Sequence, residues 1–162
     1  MTGECILVVE DEAIVSKEIQ ESLKELGYSV PSIATSGEEA VKEAEMIKPD
    51  LILMDIVLEG KMDGITAADS IMGSYDIPVV YITAHADDNT VERARKTHPF
   101  GYIVKPFTQL QLNSTVRIAL TQRVERQEYK TQINKLAKQI DEASDSFYLL
   151  ICLLYTSPSP RD

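Results

Sequence analysis

The sequence predicts an α/β fold, a doubly wound sheet of five parallel strands with helices on both faces and a helical extension at the C-terminus. The first reason is that strand and helix patterns alternate five times along the chain, an order typical of parallel sheets. The second is that the strands are continuous apolar runs, as in Leu51–Met54, which is typical of strands buried on both faces. Right-handed crossovers leave a doubly wound sheet as the simplest topology.

The first strand is predicted at Cys5–Val9, an apolar run that ends in acidic residues. The helix that follows has apolar residues at helical spacing and meets a natural stop at Gly27. The second strand, Tyr28–Ala34, is weaker because it contains Pro31, which cannot donate to a strand ladder. We therefore place this strand at an edge of the sheet.

The middle of the chain supplies the second helix and the third strand. Ser36 and Glu39 match a capping box that opens a helix, and the helix is expected to stop before Pro49. The third strand, Leu51–Asp55, runs directly into a carboxylate. A polar loop follows, and a third helix begins near Gly64.

The last two strands are predicted at Pro78–Ile82 and Phe100–Val104, with a polar helix at about 87–96 between them. A final helix begins near Thr108. Five short strands in this alternation favour the flavodoxin-like strand order 2-1-3-4-5. In that order, strands one, three, four and five are neighbours.

Charge and composition restrict the possible functions. The net charge of −10 argues against general binding to nucleic acids or to anionic membranes. Residues 1–92 hold 20 acids and 5 bases, whereas residues 93–130 hold 8 bases and 2 acids. The basic region is either a docking surface or a chance cluster on solvated helix faces. Two cysteines without metal-ligand spacing, no signal-peptide pattern and no membrane-length apolar run favour a cytoplasmic location.

Reactive side chains stand at the carboxyl ends of four strands. They are Glu10 and Asp11 after the first strand, Asp55 at the end of the third, Thr83 after the fourth and Lys105 after the fifth. Each alone is a weak signal, and Asp55 could simply cap a turn. In open parallel sheets, however, ligands bind at this edge, so we expect the five side chains to share one pocket.

This combination of side chains suits phosphoryl transfer. Three carboxylates in one pocket repel one another, and a hard divalent cation such as Mg2+ relieves that repulsion. A lysine and a hydroxyl are poor ligands for the cation but suit phosphoryl oxygens. The sequence therefore predicts a metal-assisted phosphoryl-transfer site with a carboxylate nucleophile. Because the sequence has no glycine-rich phosphate loop, a nucleotide is not the obvious donor.

From Cys5 to about Val124 the chain resembles the receiver domain of a two-component response regulator. The matching motifs are the acidic pair Glu10-Asp11, the phosphoacceptor strand Leu53-Met54-Asp55-Ile56, the pair Thr83-Ala84, the switch aromatic Tyr102 and the run Lys105-Pro106-Phe107. The one departure is Glu10, where aspartate is commoner, and glutamate keeps the carboxylate.

The resemblance implies a role for each residue of the pocket. Asp11, Asp55 and the backbone carbonyl of Val57 would ligate Mg2+, and Glu10 would act mainly through the water shell of the metal. Asp55 would accept a phosphoryl group from a histidine kinase. The Lys105-Pro106 bond would be cis, a conformation that proline makes accessible.

The resemblance also implies a switch. Lys105 would pair with the phosphoryl group, Thr83 would turn towards it, and Tyr102 would fill the space that opens, although plain packing is the alternative for a strand tyrosine. The readout surface would be formed by the fourth helix, the fifth strand and the fifth helix. Such a receiver is a signalling module rather than an enzyme, apart from its own Mg2+-dependent phosphotransfer and dephosphorylation.

We divide the chain into a receiver domain at 1–124, a helical linker at 125–151 and a tail at 152–162. Apolar residues of the linker recur at spacings of four and three, namely Tyr129, Ile133, Leu136, Ile140, Ala143, Phe147 and Leu150. This heptad pattern favours a parallel dimeric coiled coil, and a helix folding back on the domain is the alternative. We therefore expect a homodimer formed through the readout surface and this helix.

The tail, residues 152–162, resembles the translation of a transposon-end sequencing adapter. We therefore expect it to be non-native and the natural gene to continue beyond about Ile151.

Several other functions are compatible with the sequence. The chain could be the N-terminal receiver of a longer hybrid sensor protein. It could also be a binding module that does not use phosphate, although the complete set of acidic, threonine and lysine residues argues against this. A flavodoxin-like cofactor-binding protein is disfavoured because an acidic pocket repels a flavin phosphate. No direct nucleic-acid or membrane partner is expected.

Overall fold

The computed structural model describes residues 3–84 and 87–156, the last two of them through the backbone only. The chain divides into two compact units, Met1–Arg123 and Val124–Asp162. The elements are, in order, β1 (Ile6–Val9), α1 (Ala13–Glu25), β2 (Ile33–Ala34), α2 (Gly37–Ile47), β3 (Leu51–Asp55), α3 (Gly64–Tyr75), β4 (Val79–Thr83), α4 (Asp88–Lys96), β5 (Gly101–Val104) and α5 (Gln109–Thr156).

The five strands form one parallel sheet in the order β2-β1-β3-β4-β5. The fold class and the strand order predicted from the sequence are therefore confirmed. Val8 pairs with Leu53, and Leu53 pairs with Val80. Because β1, β3 and β4 are central and buried along their whole length, each can be apolar at successive positions.

Alternate strand residues enter two apolar cores, one on each face of the sheet. Leu7 and Val9 pack with residues of α2, α3 and α4. Ile6 and Val8 pack on the other face with residues of α1 and the first turns of α5. This division is the doubly wound arrangement.

The second strand is shorter than predicted. Tyr28–Ala34 was expected to be one strand, but only Ile33–Ala34 pairs with β1, and Ser29 makes an isolated bridge to Cys5. Pro31 lies between the two contacts and has no N–H to donate. The predicted edge position of β2 is confirmed.

α2, α3 and α4 begin at side-chain caps, whereas Glu12 at the start of α1 makes no such hydrogen bond. Ser36 Oγ accepts from the N–H of Glu39 at 3.2 Å, as the capping box predicts. The carboxylate of Glu39, however, accepts from the N–H of Thr35 at 2.7 Å rather than from that of Ser36. Asp63 and Asp87 cap α3 and α4 in the same way.

The second unit is described by α5 alone. Ile133, Leu136 and Ile140 on this helix are 62%, 57% and 68% exposed, so the predicted heptad residues form an exposed apolar stripe, and the coiled coil stays a prediction. None of the helices in residues 3–84 and 87–156 has the length and apolar character needed to cross a membrane. Of the predicted non-native tail, the part up to Thr156 is helical, and residues 157–162 lie outside the described residues.

Candidate functional site

The carboxyl edge of the sheet brings together the residues that the sequence singled out. Glu10 directly follows β1, Asp55 ends β3, Thr83 ends β4 and Lys105 directly follows β5. The N–H of Lys105 donates to the carbonyl of Thr83 at 2.8 Å, which extends the pairing of β4 with β5 and positions the lysine at this edge. The Lys105-Pro106 peptide bond is cis, as the resemblance implied.

Lys105 connects two buried carboxylates. Its Nζ donates to Glu10 Oε2 and to Asp55 Oδ2, both at 2.6 Å. The side chain of Glu10 is fully buried, and those of Asp55 and Lys105 are 8% and 15% exposed. Burial lowers the pKa of Lys105, but the hydrogen bonds and charges of the two carboxylates outweigh burial and raise it above its ordinary value. Lys105 is therefore charged at neutral pH.

The carboxylates of the pocket outnumber this cation. Burial raises the pKa of Glu10 to about 7, and the charge of Asp55 adds to the rise while Lys105 opposes it. Burial of Glu10 is therefore the main reason that its pKa lies near neutral pH, and the negative charge of Asp55 is a smaller one.

The donor set of the pocket fits a hard divalent cation. Glu10, Asp11 and Asp55 each place a carboxylate oxygen within 4.8 Å of the others, and carboxylate oxygens are ligands that Mg2+ prefers. The loop after β3 holds two of them, because the N–H of Val57 donates to Asp55 Oδ1 at 2.9 Å and the N–H of Glu59 to Asp11 Oδ2 at 3.1 Å. The role of the Val57 carbonyl as a ligand stays a prediction.

A pocket of about 490 Å³ lies beside Thr83. Its lining residues are Ile56, Thr83, Ala84, Val91, Arg95, Tyr102 and Val104. The hydroxyl of Thr83 is buried and has no hydrogen-bond partner in the described part of the chain. Tyr102 is 40% exposed. Both predicted switch residues therefore border one mostly apolar pocket.

Two residues near the site were not identified from the sequence. A Cβ at Gly64 would lie 1.8 Å from the carbonyl oxygen of Asp55, so only glycine lets α3 begin this close to β3. Tyr81 is fully buried in β4, and its ring centroid lies 5.8 Å from that of Tyr102. Two features of the sequence could have pointed to these residues. Gly64 follows Asp63 at the end of a polar loop, and Tyr81 is the one aromatic residue of its predicted strand.

The fold and the site are those of a known protein family. The family model described as the response regulator receiver domain matches residues 6–117. The chain therefore belongs to the response regulator receiver family, whose members are signalling modules of two-component systems.

Individual relatives agree with this assignment. The transcriptional regulatory protein PdtaR of Mycobacterium tuberculosis is 39% identical over 116 residues, which are 72% of this chain and 56% of that protein. The chain thus spans little more than half the length of this curated relative.

Two solved structures show the same fold. The signal receiver domain of a modulated diguanylate cyclase from Desulfovibrio desulfuricans is 32% identical with a TM-score of 0.74, and the match covers 76% of this chain and 98% of that one. The N-terminal domain of a response regulator/sensory box/GGDEF protein from Carboxydothermus hydrogenoformans is 37% identical with a TM-score of 0.68, covering 80% and 99%.

Proposed function

We propose that Asp55 accepts a phosphoryl group from the phosphohistidine of a histidine kinase. The observation that carries this proposal is the setting of Asp55, which is buried, bonded to Lys105 Nζ and part of a cluster of three carboxylates. Membership of the receiver family supports the acceptor role.

The two oxygens of Asp55 have different partners, Val57 N–H for Oδ1 and Lys105 Nζ for Oδ2. In the proposed reaction, one carboxylate oxygen bonds to phosphorus while the P–N bond of the phosphohistidine breaks. The bonding electrons return to the imidazole nitrogen, which takes a proton from solvent and leaves as neutral imidazole. Lys105 then moves its hydrogen bond from the carboxylate to a phosphoryl oxygen.

Bound Mg2+ would supply the positive charge that offsets repulsion between the carboxylates and the phosphoryl oxygens. Asp11, Asp55 and the carbonyl of Val57 would hold the cation, and Glu10 would act through its water shell. The pKa of Glu10 is raised to about 7 mainly by burial and further by the charge of Asp55. The contribution of Asp55 supports this proposal, because a cation would relieve the repulsion between the two carboxylates.

The signal would leave the site through Thr83 and Tyr102. A hydroxyl without a partner in the described residues can turn towards a phosphoryl oxygen on Asp55, and Tyr102 can then occupy the adjacent pocket. The readout surface would be α4, β5 and the start of α5, where α4 contributes Arg93, Arg95 and Lys96. We propose that this surface and the apolar stripe of α5 form a homodimer.

Incubation with acetyl phosphate and Mg2+, followed at once by intact mass measurement, tests the acceptor. The wild type should gain one phosphoryl group, whereas Asp55→Asn should gain none. The matched control is Asp50→Asn, which changes the carboxylate just before β3 and should be phosphorylated as the wild type is. A wild type that gains no mass would favour a binding module that does not use phosphate.

The setting of the receiver in its natural protein is a separate proposal. The solved relative that forms the N-terminal domain of a three-domain protein supports the alternative that this receiver precedes further signalling domains. The cytoplasmic location stays a prediction from composition. Fusing the natural downstream coding sequence and testing whether its activity depends on Asp55 would distinguish a regulated output from an isolated receiver.

A further inference from the structure

α4 is anchored to the receiver by few apolar contacts. Its buried residue is Ala94, and its last turn carries three basic residues. Within residues 3–84 and 87–156, two polar links supplement this contact. Arg93 Nη2 lies 2.7 Å from Asp63 Oδ2 in an ion pair whose side chains are 46% and 35% exposed. The hydroxyl of Tyr81 lies 2.8 Å from Thr97 Oγ1. Exposed ion pairs contribute little to stability, so the link to buried Tyr81 is the stronger determinant of where α4 lies.

The direction of the Tyr81 hydrogen bond follows from a count of protons. The Thr97 hydroxyl donates to the carbonyl of Ala94 at 2.7 Å, and a hydroxyl has one proton to give. Tyr81 must therefore donate to Thr97. Burial raises the pKa of Tyr81 to about 12, so its hydroxyl keeps that proton at neutral pH. The resulting chain of hydrogen bonds, from Tyr81 through Thr97 to Ala94, closes the last turn of α4.

Tyr81 also contacts the switch aromatic. Tyr81 and Tyr102 are opposite each other in the register of β4 and β5. Their ring centroids are 5.8 Å apart, and the ring planes are inclined by 36°. Tyr81 is fully buried, whereas Tyr102 is 40% exposed. The ring of Tyr81 therefore touches the residue that is proposed to move, while its hydroxyl holds the end of a readout helix.

We propose that Tyr81 is a positioning residue that couples the placement of the Tyr102 ring to the C-terminal turn of α4. The proposal rests on the switch role of Tyr102 and adds the route by which that role reaches α4. Protein cores are close-packed, so a change in the packing of Tyr102 shifts the ring of Tyr81. The hydroxyl of Tyr81 then passes the shift to Thr97.

Amide hydrogen exchange at Thr97 and His98 tests whether the hydrogen bond from Tyr81 to Thr97 holds the last turn of α4. Their N–H groups donate to the carbonyls of Ala94 and Arg95 at 3.2 and 3.1 Å, so their exchange reports opening of this turn. Tyr81→Phe keeps the ring and removes the hydroxyl, and exchange at both amides should rise roughly fivefold, as expected for one lost hydrogen bond.

The matched control for this variant is Tyr28→Phe. Tyr28 is another buried tyrosine, and it lies in the core on the opposite face of the sheet. Its substitution should leave exchange at Thr97 and His98 as in the wild type. An unchanged exchange rate in Tyr81→Phe, or an equal rise in the control, would overturn the proposed link.

A double-mutant cycle tests the coupling to Tyr102 without any phosphorylation. Tyr102→Ala should change exchange at Thr97 and His98 by roughly twofold or more in the wild-type background and leave it unchanged when Tyr81 is already phenylalanine. Equal effects in both backgrounds, or no effect in either, would reduce Tyr81 to a structural core residue and overturn the proposal. Intact mass after acetyl phosphate treatment is measured separately, so failure of the acceptor function and failure of this coupling give different results.

Discussion

Charged clusters stand at both ends of β1 and β3, and the two clusters differ in charge balance. At the carboxyl ends, the carboxylates of Glu10, Asp11 and Asp55 lie close together beside one cation, Lys105. At the amino ends, the carboxylate of Asp50 is paired with the guanidinium of Arg123. The same two strands thus carry a cluster of three carboxylates at one end and a bonded ion pair at the other.

The amino-end cluster holds elements together. Asp50 Oδ2 accepts from the N–H of Cys5 at 2.9 Å, and Asp50 Oδ1 accepts from Arg123 Nη1. Arg123 Nη1 also donates to the carbonyl of Asp50 at 3.1 Å. These bonds join the starts of β1 and β3 to α5. The paired charges at the amino ends therefore hold the fold together, whereas the surplus of buried carboxylates at the carboxyl ends favours the binding of a cation.

Of the substitutions at the two ends of these strands, Lys105→Met should lower the free energy of unfolding the most. Among the described residues, Lys105 supplies the one ammonium group bonded to Glu10 and Asp55, and its removal leaves two buried carboxylates close together. The free energy of unfolding of the metal-free protein at neutral pH should fall by about 3 kcal/mol, the cost of breaking a buried pair. Phosphorylation by acetyl phosphate should also slow. Chemical denaturation measures the first effect, and unchanged stability would show that the surplus charge is screened by solvent.

Mg2+ and pH should act together at the carboxyl end. The pKa of Glu10 is raised from an ordinary 4.5 to about 7 in the metal-free protein. A raised pKa in the folded state gives stability that is present below 4.5 and lost as pH rises through about 7. Because Mg2+ requires ionised carboxylates, its affinity should increase over the same interval.

Thermal unfolding with EDTA and with Mg2+ checks this prediction. At a Mg2+ concentration of about ten times Kd the stabilisation should be about 1.4 kcal/mol, and at fixed Mg2+ the rise in Tm should be greater near pH 8 than near pH 5.5. Glu10→Gln is the control, since it should flatten the dependence on pH. If the rise in Tm of the wild type is equal at the two pH values, Glu10 is not the group that links Mg2+ binding to pH.

The smallest expected effect comes from Arg123→Met at the amino end. The pair with Asp50 is partly exposed, so its loss should lower the free energy of unfolding by about 1 kcal/mol or less. Phosphorylation of Asp55 should proceed at the wild-type rate, because the substitution lies at the opposite end of β3. Slower phosphorylation in this variant would mean that the two ends of the strands are coupled. The separation of a binding end from a structural end would then be wrong.

Much of the site could be predicted because Glu10, Asp55, Thr83 and Lys105 each directly follow an apolar strand run, and Asp11 follows Glu10. That is why Glu10, Asp55 and Lys105 were found from the sequence, and the structure brings them together at hydrogen-bond distance. The length of β2 was predicted wrongly, since Pro31 removes a donor in the middle of the expected strand. The sequence alone does not show where the hydrogen-bonded pairing of β2 with β1 ends.

Local patterns therefore determined the order of elements, the strand that carries Asp55 and the identity of the acidic pocket. Apolar runs, caps and breakers act between near neighbours, and such short-range preferences are readable in the sequence. Only the tertiary structure decided that Tyr81 links Tyr102 to Thr97 and that Asp50 meets Arg123. These contacts join residues far apart in the chain, and they depend on how the sheet and its helices pack around one another.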